Sequence, residues 1–346
     1  MKPKVTENSV VIQKDELQIL LNLFGKESIY LEYPLFNLKL LKAKTSGDCY
    51  KLNLLCENEN FYDLYENCSC SDEFPSYGDI SDCMLWSGII QYDNMDEFKD
   101  QMLVYEKVNK NKVVYFAFDT NMFYQGFPSQ ASFLNKYRYL VASTVYEEIE
   151  SAINFKYRPN QINEMKKCAT YNTNLLGKLG NQKMKKSRKA AYVAMKEYTN
   201  IRRHSLTEVK SDLPSTKDSE ENDRIIINAI HKFDAEDSDA YVVFLTADTL
   251  VSNLCEGKGL DFFLFKYPSH LDTKECSSDQ LVKLVYWLAI MNGFIKCNSV
   301  IVYGEFGHKG RDDDALKLVF QDRKLLETFM RELEICRELM DLKIEK

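Results

Sequence analysis

No stretch of this chain is apolar for long enough to cross a membrane. The longest apolar window, Leu284 to Ile295, is bounded by Lys283 and Lys296 and covers about half a span. It reads as a buried helix, and no membrane partner is expected. The opening residues, MKPKVTENSV, hold no apolar run of signal-peptide length, so a cytoplasmic protein is the expectation. Paired cysteine knuckles are also missing. Ten cysteines are present, but Cys56, Cys68, Cys70 and Cys83 offer a single C-x-C. Reduced thiols without bound zinc are therefore expected. The segment Gly304–Asp314, with Glu305, His308, Arg311 and Asp312 to Asp314, lacks the Gly-Lys-Ser/Thr of a phosphate loop and reads as a solvated connection. Histidines number only four, and there is no internal repeat or low-complexity tract.

Charge is present in quantity and is unevenly placed. The chain totals −7, yet Glu164 to Lys210 holds twelve Lys or Arg against three acids, a local +9 that leaves −16 elsewhere. Segregation on this scale points to a polyanionic partner more than the total does. Lys183, Lys185, Lys186, Arg188 and Lys189 are placed to track phosphates, and Tyr192 to stack on a base. A solvated amphipathic helix is the competing reading.

A chain of 346 residues suggests about two or three domains. Residues 1–110 read as an α+β region: a helix at Asp15–Phe24, strands at Ile29–Tyr33, Leu35–Lys44 and Tyr50–Leu55, a polar irregular stretch at Glu57–Asp82, and a helix at Asn94–Val108. Residues 111–268 read as α/β, with a basic helical insert at 160–210 and a helix around Gln130–Tyr137. Residues 269–346 form a mostly helical α/β extension: the buried helix Leu281–Ile295, a strand at Ser299–Tyr303, and a charged helix at Ala315–Leu342.

The second region carries the chemistry. Val113 to Phe118 is apolar without a break, the pattern of a strand buried on both faces of a parallel sheet. Asp119 follows it, as a helix N-cap or as the first piece of a site. Tyr241–Leu245 is a second such strand, followed by Thr246-Ala247-Asp248. Thr144 and Glu147 fit a capping box, which leaves Glu148 free to face a crevice. With Ser219 as N-cap, Asp223 takes the same place in its own helix; by itself either acid is an ordinary first-turn residue. In a right-handed parallel sheet all four acids face one crevice. Four carboxylates in reach of one another repel unless cations neutralise them, and oxygen ligands without His or Cys suit Mg²⁺ or Mn²⁺.

At these residues the chain resembles the PIN-domain nucleases. The motifs are FDTN at Phe118–Asn121, STVYEEIE at Ser143–Glu150, NDRIIINAI at Asn222–Ile230 and FLTAD at Phe244–Asp248. They run in the family's order from about Val113 to Tyr267. The resemblance implies a three-layer α/β/α domain on a five-stranded parallel sheet of order 3-2-1-4-5. It also implies metal-dependent endonuclease activity on single-stranded RNA, leaving 5′-phosphate and 3′-hydroxyl ends. Asp119, Glu148, Asp223 and Asp248 would then hold the metal, with Asn121 and Thr246 supporting them or orienting substrate. A regulatory protein or antitoxin is a further partner the resemblance leaves open. Glu147, Glu150 and Glu221 are spare acids, as in flap-type DNA nucleases of related fold, so DNA stays open as a substrate. So does a non-catalytic scaffold that binds RNA or protein.

Overall fold

The computed structural model describes residues 8–25, 27–66, 68–108, 111–153, 157–179, 186, 189–204, 206–269, 271, 275–304 and 315–342. Its strands begin with β1 (Ser9–Gln13), β2 (Ile29–Tyr33), β3 (Leu38–Ser46) and β4 (Cys49–Leu54). Next come β5 (Val113–Phe118), β6 (Arg138–Ala142), β7 (Leu206–Val209), β8 (Ala240–Thr246) and β9 (Phe262–Leu264). The series ends with β10 (Glu275–Ser277), β11 (Phe294–Cys297), β12 (Val300–Tyr303) and β13 (Ala315–Phe320). The chain divides into two compact units: Met1–Ile89, Lys156–Ser187 and Asp272–Lys346 form one, and Ile90–Phe155 with Arg188–Leu271 the other.

The second unit is built on the unbroken apolar runs. Such runs have no wet side, so β5 and β8 occupy the interior of the sheet and their later residues are buried. The five strands are parallel in the order β7-β6-β5-β8-β9, which is the expected 3-2-1-4-5. Helices Ser143–Ile153, Ser219–Glu236 and Thr249–Lys258 connect and flank them in an α/β/α arrangement. The register aligns Phe118 with Leu245, so the next residues, Asp119 and Thr246, stand side by side at the carboxyl edge. Between β5 and β6 the single expected helix is instead three short turns, Thr120–Tyr124, Phe127–Gln130 and Ser132–Lys136. Gly126 makes the break, adopting a left-handed φ of 64° that favours glycine.

Helix Met95–Val108, assigned above to the first region, belongs to this unit. Phe98 packs against Phe263 and Phe265 at 4.8 and 4.9 Å between ring centroids. Asn94 donates to the Leu264 carbonyl and accepts from the Lys266 amide. The boundary therefore falls at residue 90 rather than 110.

The first unit centres on an eight-stranded sheet, β1-β13-β12-β11-β2-β3-β4-β10, antiparallel at every pairing. The beginning and end of the chain thus share one sheet and are not separate domains. Unpaired edges explain it: without β11, β2 would expose its free backbone groups. Ala315–Phe320 is a strand, because Leu316, Leu318 and Phe320 alternate at period two and pair on both sides; the charged helix begins only at Arg323. The stretch read as irregular holds helices Asn58–Tyr65 and Tyr77–Trp86, the latter started by a Ser76–Asp79 capping box.

The basic insert is divided between the units. Residues 157–179 belong to the first, where the amides of Thr170 and Tyr171 donate to the Leu35 carbonyl. Helix Lys189–Arg202 belongs to the second. Reduced thiols were expected throughout, yet Cys68 and Cys168 are joined as a disulfide across 100 residues, a pairing invisible to local spacing. The residues of 305–314 discussed above lie outside the described residues. Among the described residues, no helix is long and apolar enough to cross a membrane.

Candidate active site

All four acids stand at the carboxyl edge of the parallel sheet or in the helices that leave it. Asp119, which ends β5, is 1 % exposed. It also caps helix Thr120–Tyr124: its Oδ1 accepts the Met122 amide at 2.8 Å, and its Oδ2 accepts the Thr246 hydroxyl at 2.5 Å. The Thr246 oxygen in turn accepts the Asp248 amide at 2.9 Å, and Asp248 caps helix Thr249–Lys258 by accepting from Leu250 at 2.7 Å. Cap and site are thus not alternatives here: each Asp holds a helix start with one oxygen.

Glu148 is tied on both oxygens. Asn222 Nδ2 donates to Oε1 at 2.6 Å, and the Thr120 hydroxyl donates to Oε2. The expected capping box is absent. Thr144 donates instead to Ser211 Oγ at 2.7 Å, and Glu147 accepts the Ser215 amide at 2.8 Å. Glu147 is still structural, as expected, but it pins the loop before the Asp223 helix. That helix is capped by Asp218 rather than Ser219, so Asp223 lies one position deeper than expected, behind Asn222.

Electrostatics links the set. Burial, together with Asp223 and Asp248 nearby, pushes the Asp119 carboxyl up to about 7 against the hydrogen bonds from Thr246 and Met122. Burial, then Glu148, Asp248 and Glu220, raise Asp223 to about 6. The carboxylates sense one another without closing into a tight cluster. Among the described residues, the one set of three His, Cys, Asp or Glu donors within 4.8 Å of one another is Cys68, Cys70 and Cys168. The donors fit a hard divalent cation, since all are oxygens, and a carboxylate with one lone pair engaged keeps others for a metal. Mg²⁺ in particular keeps several waters and needs only one or two carboxylates directly.

Thr120 and Asn222, the two groups that orient Glu148, were not singled out in the sequence. Each adjoins an acid, in FDTN and NDRIIINAI, and a short polar side chain beside a candidate ligand was the available signal. Asn121, chosen instead of Thr120, is half-buried in helix Thr120–Tyr124.

The expected phosphate contacts fare differently. Lys183, Lys185 and Arg188 lie outside the described residues. Lys186 is buried: its ammonium pairs with Asp79 at 2.7 Å and donates to the Asp72 carbonyl. Lys189 is 2 % exposed. Neither presents its charge to a nucleic acid, because the fold has consumed it. The Tyr192 ring already has the Lys196 ammonium 5.9 Å from its centroid.

Comparison with known proteins adds three findings. Residues 116–264 match the family model described as PIN domain. The chain is similar to a solved domain of a functionally unknown protein from Methanocaldococcus jannaschii DSM 2661. The identity is 13 %, covering 45 % of this chain and 94 % of that one, with a TM-score of 0.29. No curated protein matches it.

Proposed function

We propose, from the premise that this chain carries a PIN domain, that it is a metal-dependent endoribonuclease cutting single-stranded RNA. PIN domains are nuclease-type folds and generally depend on divalent metal. The observation that carries the reading is the shared carboxyl edge, where a buried Asp119 is held up to about 7 by burial and by Asp223 and Asp248. A fold keeps mutually repelling acids at a cost in stability, and a cation removes that cost. Asp119, Glu148, Asp223 and Asp248 would hold Mg²⁺ or Mn²⁺. The bound metal supplies charge neutralisation on the phosphodiester and a lowered pKa for an attacking water.

The chain's own residues contribute orientation. Thr246 and the Met122 amide fix both oxygens of Asp119, and Asn222 and Thr120 fix both of Glu148, so the ligands are set before metal arrives. Two spare acids of the DNA reading each accept a hydrogen bond but keep further lone pairs for a metal, so the test carries a DNA arm. Glu147 accepts from Ser215, and Glu150 accepts from the Tyr146 hydroxyl at 3.2 Å. The test is cleavage of end-labelled single-stranded RNA and single-stranded DNA of equal length, with Mn²⁺, Mg²⁺ or EDTA. RNA cut internally with either metal and intact in EDTA is the expected result. Preference for DNA overturns the substrate assignment, and no cleavage of either with metal overturns the enzyme.

A further inference from the structure

The sulfurs of Cys68, Cys70 and Cys168 lie within 4.8 Å of one another. Cys68 and Cys168 share a disulfide, and Cys70 Sγ stands 3.9 Å from Cys168 Sγ. A disulfide uses two of these sulfurs and gives no reason for the third. Three thiolates converging on one point are the donor set of a soft tetrahedral cation, Zn²⁺ above all.

The backbone on either side holds the sulfurs in place apart from the sulfur–sulfur bond. Just after Cys70, Glu73 accepts from the Tyr157 hydroxyl at 2.8 Å and from the Lys186 amide at 2.9 Å. Just after Cys168, Thr170 and Tyr171 donate to the Leu35 carbonyl at 3.1 and 2.9 Å. The carboxylates of Glu73 and Glu164 are both in electrostatic range of the Cys70 sulfur. Glu73 is engaged as described. Glu164 is exposed and precedes Cys168 by four residues in helix Pro159–Cys168, on the same face.

We propose that Cys68, Cys70 and Cys168, when reduced, form a Zn²⁺ site whose fourth position is taken by water or by Glu164, one turn before Cys168. The site fastens helix Pro159–Cys168 to the segment after helix Asn58–Tyr65. The sequence argued against zinc because Cys56, Cys68, Cys70 and Cys83 lack knuckle spacing. The fold leaves Cys56 donating to the Leu40 carbonyl and supplies Cys168 instead.

The test uses the full chain, stripped with EDTA, reduced with a phosphine and loaded with Zn²⁺ or Co²⁺. Reduction moves two electrons from phosphorus to the disulfide, yielding two thiols and a phosphine oxide whose oxygen comes from water. Each ligating thiol then releases its proton on binding metal. Reduced wild type should give a thiolate-to-cobalt charge-transfer band, hold one more Zn²⁺ than Cys70→Ser, and melt higher with Zn²⁺. Cys70→Ser keeps both disulfide cysteines, so a role confined to the disulfide predicts that it behaves as wild type. The carboxylate edge yields no thiolate band, so this result stands apart from the nuclease assays. A reduced wild type without the band, or a Cys70→Ser variant with the full band, overturns the site. Should Cys70→Ser fail to fold by circular dichroism, the wild-type band alone decides.

Discussion

Thr246 sets two acids at once, donating to Asp119 while its oxygen accepts the Asp248 amide. Thr246→Ala should weaken activating metal by about 10–100-fold, read from Mn²⁺ titrations of cleavage, with kcat largely restored at saturating Mn²⁺. Unchanged metal dependence would remove Thr246 from the site. The acids themselves predict a pH effect. Asp119 is near 3.8 unfolded and about 7 folded, so the folded state binds more protons across that window. Stability in EDTA should therefore fall as pH rises from about 4 to about 7 and level off above it. Asp223, raised to about 6, has the same sign, and so does Glu197, raised to about 7 chiefly by burial. Asp119→Asn should reduce the slope without abolishing it, as measured by urea midpoints at pH 5 and 8. A stability that rises over that window would contradict the burial of these acids. At this scale the placement of the four acids at one sheet edge is legible, because each follows an apolar strand or lies near the start of a helix. The roles of Thr120 and Asn222 are not, since a hydrogen bond across elements leaves no local pattern.

Elements were legible where one period dominated. Val113–Phe118 and Ala240–Thr246 carry unbroken apolar runs and emerged as strands. The sequence misleads where two signals overlap. Ala315–Phe320 precedes a long charged helix, and its short period-two pattern merges with the pattern of that helix. The insert shows the same limit for function, because composition counts Lys186 as free charge while the fold pairs it with Asp79 at 9 % and 14 % exposure. Lys186→Ala takes the cation from a half-buried carboxylate that keeps its two Ser76 hydrogen bonds, and should cost about 1–3 kcal/mol. It should leave the salt dependence of RNA binding unchanged. A phosphate contact would instead flatten the slope of log affinity against log salt by about 0.7. A flattened slope with an unchanged melting temperature would restore Lys186 to the nucleic-acid interface.

For the whole molecule, the order of the parallel sheet could be expected only from the resemblance to the PIN-domain nucleases, since the crossover from Ala142 to Leu206 carries the whole insert. The antiparallel sheet could not, since β1 pairs with β13 and β2 with β11 across most of the chain. Residues 1–110 expressed alone should accordingly be unfolded by circular dichroism, lacking β10 to β13. A cooperative melt of that fragment would contradict the shared sheet. The proposed ribonuclease activity rests on the acids at the carboxyl edge, of which Asp119 is the most buried. Wild type and Asp119→Asn, matched by circular dichroism, are given the same labelled single-stranded RNA under single-turnover conditions with Mn²⁺. Wild type should cut, leaving 5′-phosphate and 3′-hydroxyl ends, and Asp119→Asn should be slower by more than the about 100-fold that loss of a supporting hydrogen bond can cost. Cleavage by Asp119→Asn at the wild-type rate would contradict the account.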